Sequence, residues 1–124
     1  MLPKANRLKR KEDFQAVFQR GQAVANRQFV CYTLRDSSLT GRRIGVSVSK
    51  KVGKAVVRNR VKRLMRESVR SMLDELPEGI DVVVIARVSA KDLDYHKTLQ
   101  SLRHLFRKAN LLPKVKAPTK ERGQ

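Results

Sequence analysis

Only one cysteine, Cys31, occurs in the chain, which excludes an internal disulfide and leaves no Cys/His set with zinc-like spacing. Its expected role is that of a small buried hydrophobe. Acidic residues are scarce too: 11 Asp and Glu stand against 29 Lys and Arg, a formal net charge of +18. The natural counterpart of so positive a field is nucleic acid, ahead of other anionic surfaces. No apolar stretch approaches the roughly 20 residues that cross a bilayer, and Met1-Leu2-Pro3-Lys4 lacks the apolar core of a secretion signal. A cytoplasmic protein with no membrane partner is expected. Nor does any internal repeat, low-complexity stretch or long linker divide the 124 residues. The expectation is one domain over 1–124, with a short basic N-terminal arm at 1–8 and a mobile tail at 113–124.

Catalytic constellations are missing as well. His96 and His104 lie among Lys97, Arg103 and Arg107 with no cysteine, serine or carboxylate cluster paired to them, and read as solvated helix residues. Asp92 and Asp94 suit a helix entry better than a metal or an acid/base pair. Lys50-Lys51-Val52-Gly53-Lys54 has a superficial likeness to a phosphate loop, but the second glycine and the closing Lys-Ser/Thr are absent. Nucleotide hydrolysis is disfavoured, and no catalytic residue and no protein-held metal or cofactor is expected.

What the chain does have is a basic run. Lys50, Lys51, Lys54, Arg58, Arg60, Lys62, Arg63, Arg66 and Arg70 face a single carboxylate, Glu67. Most charge runs are solvated faces, yet so one-sided an excess repels itself unless an anion relieves it, which favours RNA or DNA binding here. An apolar stripe of Val57, Val61, Leu64, Met65, Met72 and Leu76 predicts a helix from about Ala55 to Leu76. Glu67 is spaced to steady Arg63 and Arg70.

Helical spacing of Phe14, Val17 and Phe18 predicts a short helix from Arg10 to Arg20, ended at Gly21. Strands are predicted at Gln28 to Leu34 and, by strict alternation, at Arg43 to Ser49, with a weaker signal at Gln22 to Val24. In the second of these, Gly45, Ser47 and Ser49 make a small-residue face that another chain can approach. The unbroken apolar run from Val82 to Ala86 predicts a strand covered on both faces. Ser89 or Asp94 is placed to cap a last helix reaching Ala109, with Tyr95, Leu99, Leu102, Phe106 and Ala109 as its core stripe. The order helix, strands, helix, strand, helix implies an α+β fold, a two-layer α-β sandwich. For Phe14, Phe18 or Tyr32 taken singly, core packing is the first reading, and a stacking platform for unpaired bases is the alternative.

Lys50-Lys51-Val52-Gly53, Ala55-Val56, Arg58-Asn59-Arg60-Val61-Lys62-Arg63 and Arg66-Glu67 together resemble the central signature of the bacterial ribonuclease P protein family. Arg7-Leu8, Asp13-Phe14, Ala25-Asn26-Arg27-Gln28-Phe29-Val30, Gly45-Val46-Ser47-Val48-Ser49 and Ile85-Ala86-Arg87 support the likeness. The resemblance implies a protein that assists a catalytic RNA in cutting the 5′ leader from precursor tRNA, with Mg2+ held by RNA and substrate. It also implies a left-handed β-α-β crossover, against the usual hand. Lys51, Lys54, Arg58, Asn59, Arg60, Lys62, Arg63, Arg66 and Arg70 are the implied contacts to the catalytic RNA. Phe14, Phe18, Val30, Tyr32, Ser47 and Ser49 are the implied lining of a leader cleft. Leu111 and Leu112 offer no aromatic group to lengthen that cleft.

Overall fold

A computed structural model describes residues 2–36 and 41–113. Helix α1 (Lys11–Arg20) is followed by strands β1 (Gln22–Ala25), β2 (Phe29–Arg35) and β3 (Arg42–Val48), then α2 (Ala55–Ser71), β4 (Ile80–Ala86) and α3 (Tyr95–Lys108). The strands make one mixed sheet in the order β1-β2-β4-β3. Only β3 and β4 run parallel, so α2 is the crossover of a β-α-β unit between neighbouring strands. This is the α+β arrangement that the order of elements implied, and the weak strand signal near Gln22 is β1.

Strand β4 is apolar on both sides because it is internal. Ile80, Val82, Val84 and Ala86 join a core with Phe29, Cys31 and Ile44, closed by Val61, Met65 and Val69 of α2 and Leu102, Leu105 and Phe106 of α3. Each fully buried Val, Leu, Ile, Phe or Met among them contributes about 1.5–3 kcal/mol before entropy is counted. Val83 and Ile85 face the other way, toward α1.

The long helix is shorter than its apolar stripe suggests. It ends at Ser71: Met72 turns to φ −121°, ψ 14°, and a 3-10 turn spans Leu73–Glu75. Met72 and Leu76 are nevertheless buried, because the tighter turn swings Leu76 back toward the core. Asp94, not Ser89, caps α3, accepting from the Lys97 N–H at 2.8 Å, while the Ser89 hydroxyl donates to the Arg27 carbonyl. At the other end Asn110 takes φ 62° and the Leu111 N–H returns to the Phe106 carbonyl at 2.8 Å, a Schellman closure. Leu111 and Leu112 thereby enter the core.

The N-terminal arm lies against β3. Leu2 and Leu8 are buried, and the Leu8 N–H donates to the Ile44 carbonyl at 2.9 Å beside a single parallel bridge from Arg7. From residue 114 onward the expected mobile tail falls outside the described residues, as do positions 37–40 of the turn before β3.

Candidate nucleic-acid interface

Between Ala55 and Ser71 there is neither glycine nor proline, and five Arg together with Ala55, Lys62, Leu64, Met65 and Glu67 are good helix formers, so α2 propagates without a break. At about 100° per residue, the buried Val61, Met65 and Val69 define its inner face, and the cations divide around it. Arg58, Lys62 and Arg66, four residues apart, form a half-buried row on one flank. Arg66 reaches the edge of β3, where it lines a hollow of about 280 Å³ with Arg7, Leu8, Lys9, Phe14, Ile44, Gly45 and Val46. The Nε of Arg58 is buried with no hydrogen-bond partner among the described residues, an unmet donor on this flank.

Asn59, Arg63 and Arg70 are exposed on the outer face. Arg70 pairs with Glu67 at 3.1 Å, the spacing read from the sequence. Lys51 and Lys54 stand exposed ahead of the helix, in a connection opened by Ser49, whose hydroxyl accepts from the Lys51 N–H at 3.2 Å. Gly53 allows that connection: its φ is 156°, and a Cβ there would meet the Val57 side chain at 3.2 Å.

Arg60 departs from the expected single basic face. Its guanidinium donates to the carbonyls of Lys91 and Leu93 at 3.3 and 3.2 Å, bracing α2 against the entry to α3 on the flank away from Arg58 and Arg66. The residue alternates with its neighbours in sequence, but two residues along a helix is about 200° of rotation.

The opposite face of the sheet is only partly roofed by α1. Val17 is fully buried with Leu8 and Val83, while Phe14, Tyr32, Leu34 and Ile85 form a half-buried margin. Phe14 lies over Gly45 so closely that a Cβ there would sit 2.6 Å from the ring. At Gly45 the small-residue face of β3 is covered by this chain's own Phe14. Phe18 is 41% exposed and meets Tyr32 edge-on, ring centroids 4.9 Å apart, with Phe14 6.4 Å away. Beyond Tyr32, Val30 pairs with Ile85 across β2 and β4, and Ile85 with Ser47 across β4 and β3. This half-exposed strip runs into a hollow of about 520 Å³ lined by Arg27, Ser49, Lys51, Ile85, Arg87 and Ser89 among others.

All six residues expected to line a cleft therefore lie on this face or at its end. Ile85, Arg27 and Arg87 entered the sequence reading as part of the family likeness and not as cleft lining; strand pairing brings them here, and no periodicity within one segment signals that. The sequence reading also passed over the pairing of Arg43 with Asp81. Asp81 is 3% exposed, yet it is a carboxylate held by Arg43, and that pairing keeps the Arg43 guanidinium pKa above its usual value despite desolvation. His96 and His104 are exposed on α3. Among the described residues no helix is long and apolar enough to cross a membrane, and no group of three or more His, Cys, Asp or Glu is placed to hold a metal ion.

A family model described as Ribonuclease P matches residues 2–110. The chain is 54% identical over 113 residues to the ribonuclease P protein component of Bacillus velezensis, covering 91% of this chain and 97% of that protein. It is 47% identical to the component from Bacillus mycoides, over 89% and 96% of the two chains. The solved RNase P protein of Staphylococcus aureus superposes with a TM-score of 0.81 at 41% identity, covering 88% of this chain and 99% of that one. That of Thermotoga maritima gives 0.74 at 31% identity, over 82% and 96%. Sequence and fold agree over nearly the whole described chain, and the protein belongs to the ribonuclease P protein family.

Proposed function

We propose that this chain is the protein subunit of ribonuclease P, binding the catalytic RNA with one surface and the 5′ leader of precursor tRNA with another. The observation that carries the reading is the meeting of two unlike surfaces along the edge of β3. On one side runs the cationic row of α2; on the other lies the half-roofed strip from Phe18 to Ile85, with cations at its end. Phosphates of a folded RNA suit the first, whose guanidiniums can contact them in bidentate fashion. Unpaired bases of an extended leader suit the second, where aromatic edges and a flat apolar floor accept them without reading sequence. The subunit raises substrate affinity and supplies no nucleophile; Mg2+ is held by RNA and substrate, and the assembly works in the cytoplasm.

Reconstitution with a candidate catalytic RNA tests this. Leader removal at low magnesium is expected only when both components are present, and cleavage by the isolated chain in magnesium would refute the assignment. Phe18→Ala is expected to weaken binding of leader-bearing tRNA about fivefold or more, the cost of roughly one base stack, and to spare mature tRNA. Equal losses on both substrates would make Phe18 a packing residue.

A further inference from the structure

We infer that Asp13 and Arg43 are positioning residues for the leader cleft: Arg43 staples α1 to the sheet and so decides where Phe14 and Phe18 stand. The inference rests on the leader reading above. Arg43 of β3 lies opposite Asp81 of β4 in the parallel register. Its Nε and one terminal nitrogen donate to the two Asp81 oxygens at 2.8 and 2.7 Å, and the other terminal nitrogen donates to Asp13 of α1 at 3.2 Å. Three nitrogens thus join three elements. A buried carboxylate such as Asp81 requires a partner of this kind, and the planar guanidinium holds three separate nitrogens in a fixed fork that reaches Asp81 and Asp13 at once, where a lysine would place all its donors on one nitrogen.

The staple sits where it controls the cleft. Asp13 is adjacent in sequence to Phe14, and Phe14 rests on Gly45, two residues beyond Arg43 on the same strand face. An ionic contact from 13 to 43 and a ring contact from 14 to 45 together fix both the position and the rotation of α1. Among the described residues the fully buried cluster beneath it is small, Leu8, Val17 and Val83, with Phe14, Tyr32, Leu34 and Ile85 packed at its margin. Phe18, one turn further along, takes its place against Tyr32 from that seating. Arg43 also has two carboxylates in contact, so its charge is already neutralised within the fold and it is a poor candidate for a phosphate contact.

The test uses the full-length protein in the reconstituted holoenzyme, with Asp13→Ala, Asp13→Asn and, as reference, Phe18→Ala. In Asp13→Ala, amide exchange across α1 is expected to rise about fivefold while β4 stays protected, as for loss of one partly exposed ion pair. The preference for leader-bearing over mature tRNA is expected to fall about threefold or more, and to recover in part in Asp13→Asn, whose amide oxygen still accepts from Arg43. Affinity for the catalytic RNA and its salt dependence are expected to stay as in the parent. Unchanged α1 exchange, or a fall in catalytic-RNA affinity that keeps step with the weakened preference, overturns the inference. Should Phe18→Ala lose the preference while Asp13→Ala keeps it, the positioning role alone is refuted. Should Phe18→Ala keep it, the leader reading falls and takes the cleft-setting role with it.

Discussion

Replacing Arg66 and, separately, Arg60 by alanine distinguishes a phosphate contact from a structural brace on the same helix. Removing one cation from a phosphate flattens the slope of log K against log salt by about 0.7 for single strands and 0.9 for duplex. Between 50 and 200 mM salt, a fourfold change, that slope difference narrows the gap between parent and Arg66→Ala by about 2.6- to 3.5-fold. Arg60 donates to two carbonyls on the opposite flank. Its removal is expected to cost no more than about 1 kcal/mol of stability, since the bonds are solvent-exposed, and to lower Tm by about 3–5 °C for a chain of this size. Its salt slope should remain near that of the parent. Binding to the catalytic RNA measured at five or six salt concentrations, alongside thermal unfolding, reads both quantities. Parallel salt lines for Arg66→Ala, or an Arg60→Ala line as flat as that of Arg66→Ala, would refute the division of the α2 cations into two flanks.

Two further outcomes concern stability. Asp81→Ala leaves Arg43 without its bidentate partner in a half-buried site, with Asp13 still in contact, and is expected to destabilise by about 1.5–3 kcal/mol, read from the urea midpoint; a change under about 1 kcal/mol would mean that water replaces the carboxylate at little cost. Burial pushes the Cys31 thiol up from 9.0 to about 11, with the Thr33 hydroxyl only partly opposing it. Because folding favours the protonated thiol, its contribution of up to about 2–3 kcal/mol is fully present below pH 9 and is lost as pH rises from 9 to 11. Native protein should accordingly resist thiol reagents at pH 8, and Cys31→Ala should flatten stability between pH 9 and 11; rapid labelling of folded protein would contradict the burial.

The chain's periodicities carried its elements, because helix and strand spacing are local properties that survive without knowledge of neighbours. Phe14, Val17 and Phe18 announced α1, and the run Val82 to Ala86 announced an internal strand. The charge excess carried the nucleic-acid reading for the same reason: charge is additive along a sequence. Helix α2 was overextended to Leu76 because an apolar stripe stays in phase through a 3-10 turn, and the break at Met72 lies in backbone angles that the stripe does not encode.

What only the tertiary structure decided are the relations between segments. That Val30 meets Ile85, that Ile85 meets Ser47, and that Arg27 and Arg87 close the far end of the strip all follow from the strand order β1-β2-β4-β3, which places β4 between strands far from it in sequence. Arg60 and Arg66 are both cations of one run, and only the neighbours of each flank, carbonyls for one and the β3 edge for the other, give them different work. Asp81 was one acid in a strand signal until folding set Arg43 beside it. Composition and spacing determined that this protein is a small basic α+β domain suited to nucleic acid; contacts between distant residues decided which cations remain available and how far α1 leaves the sheet uncovered.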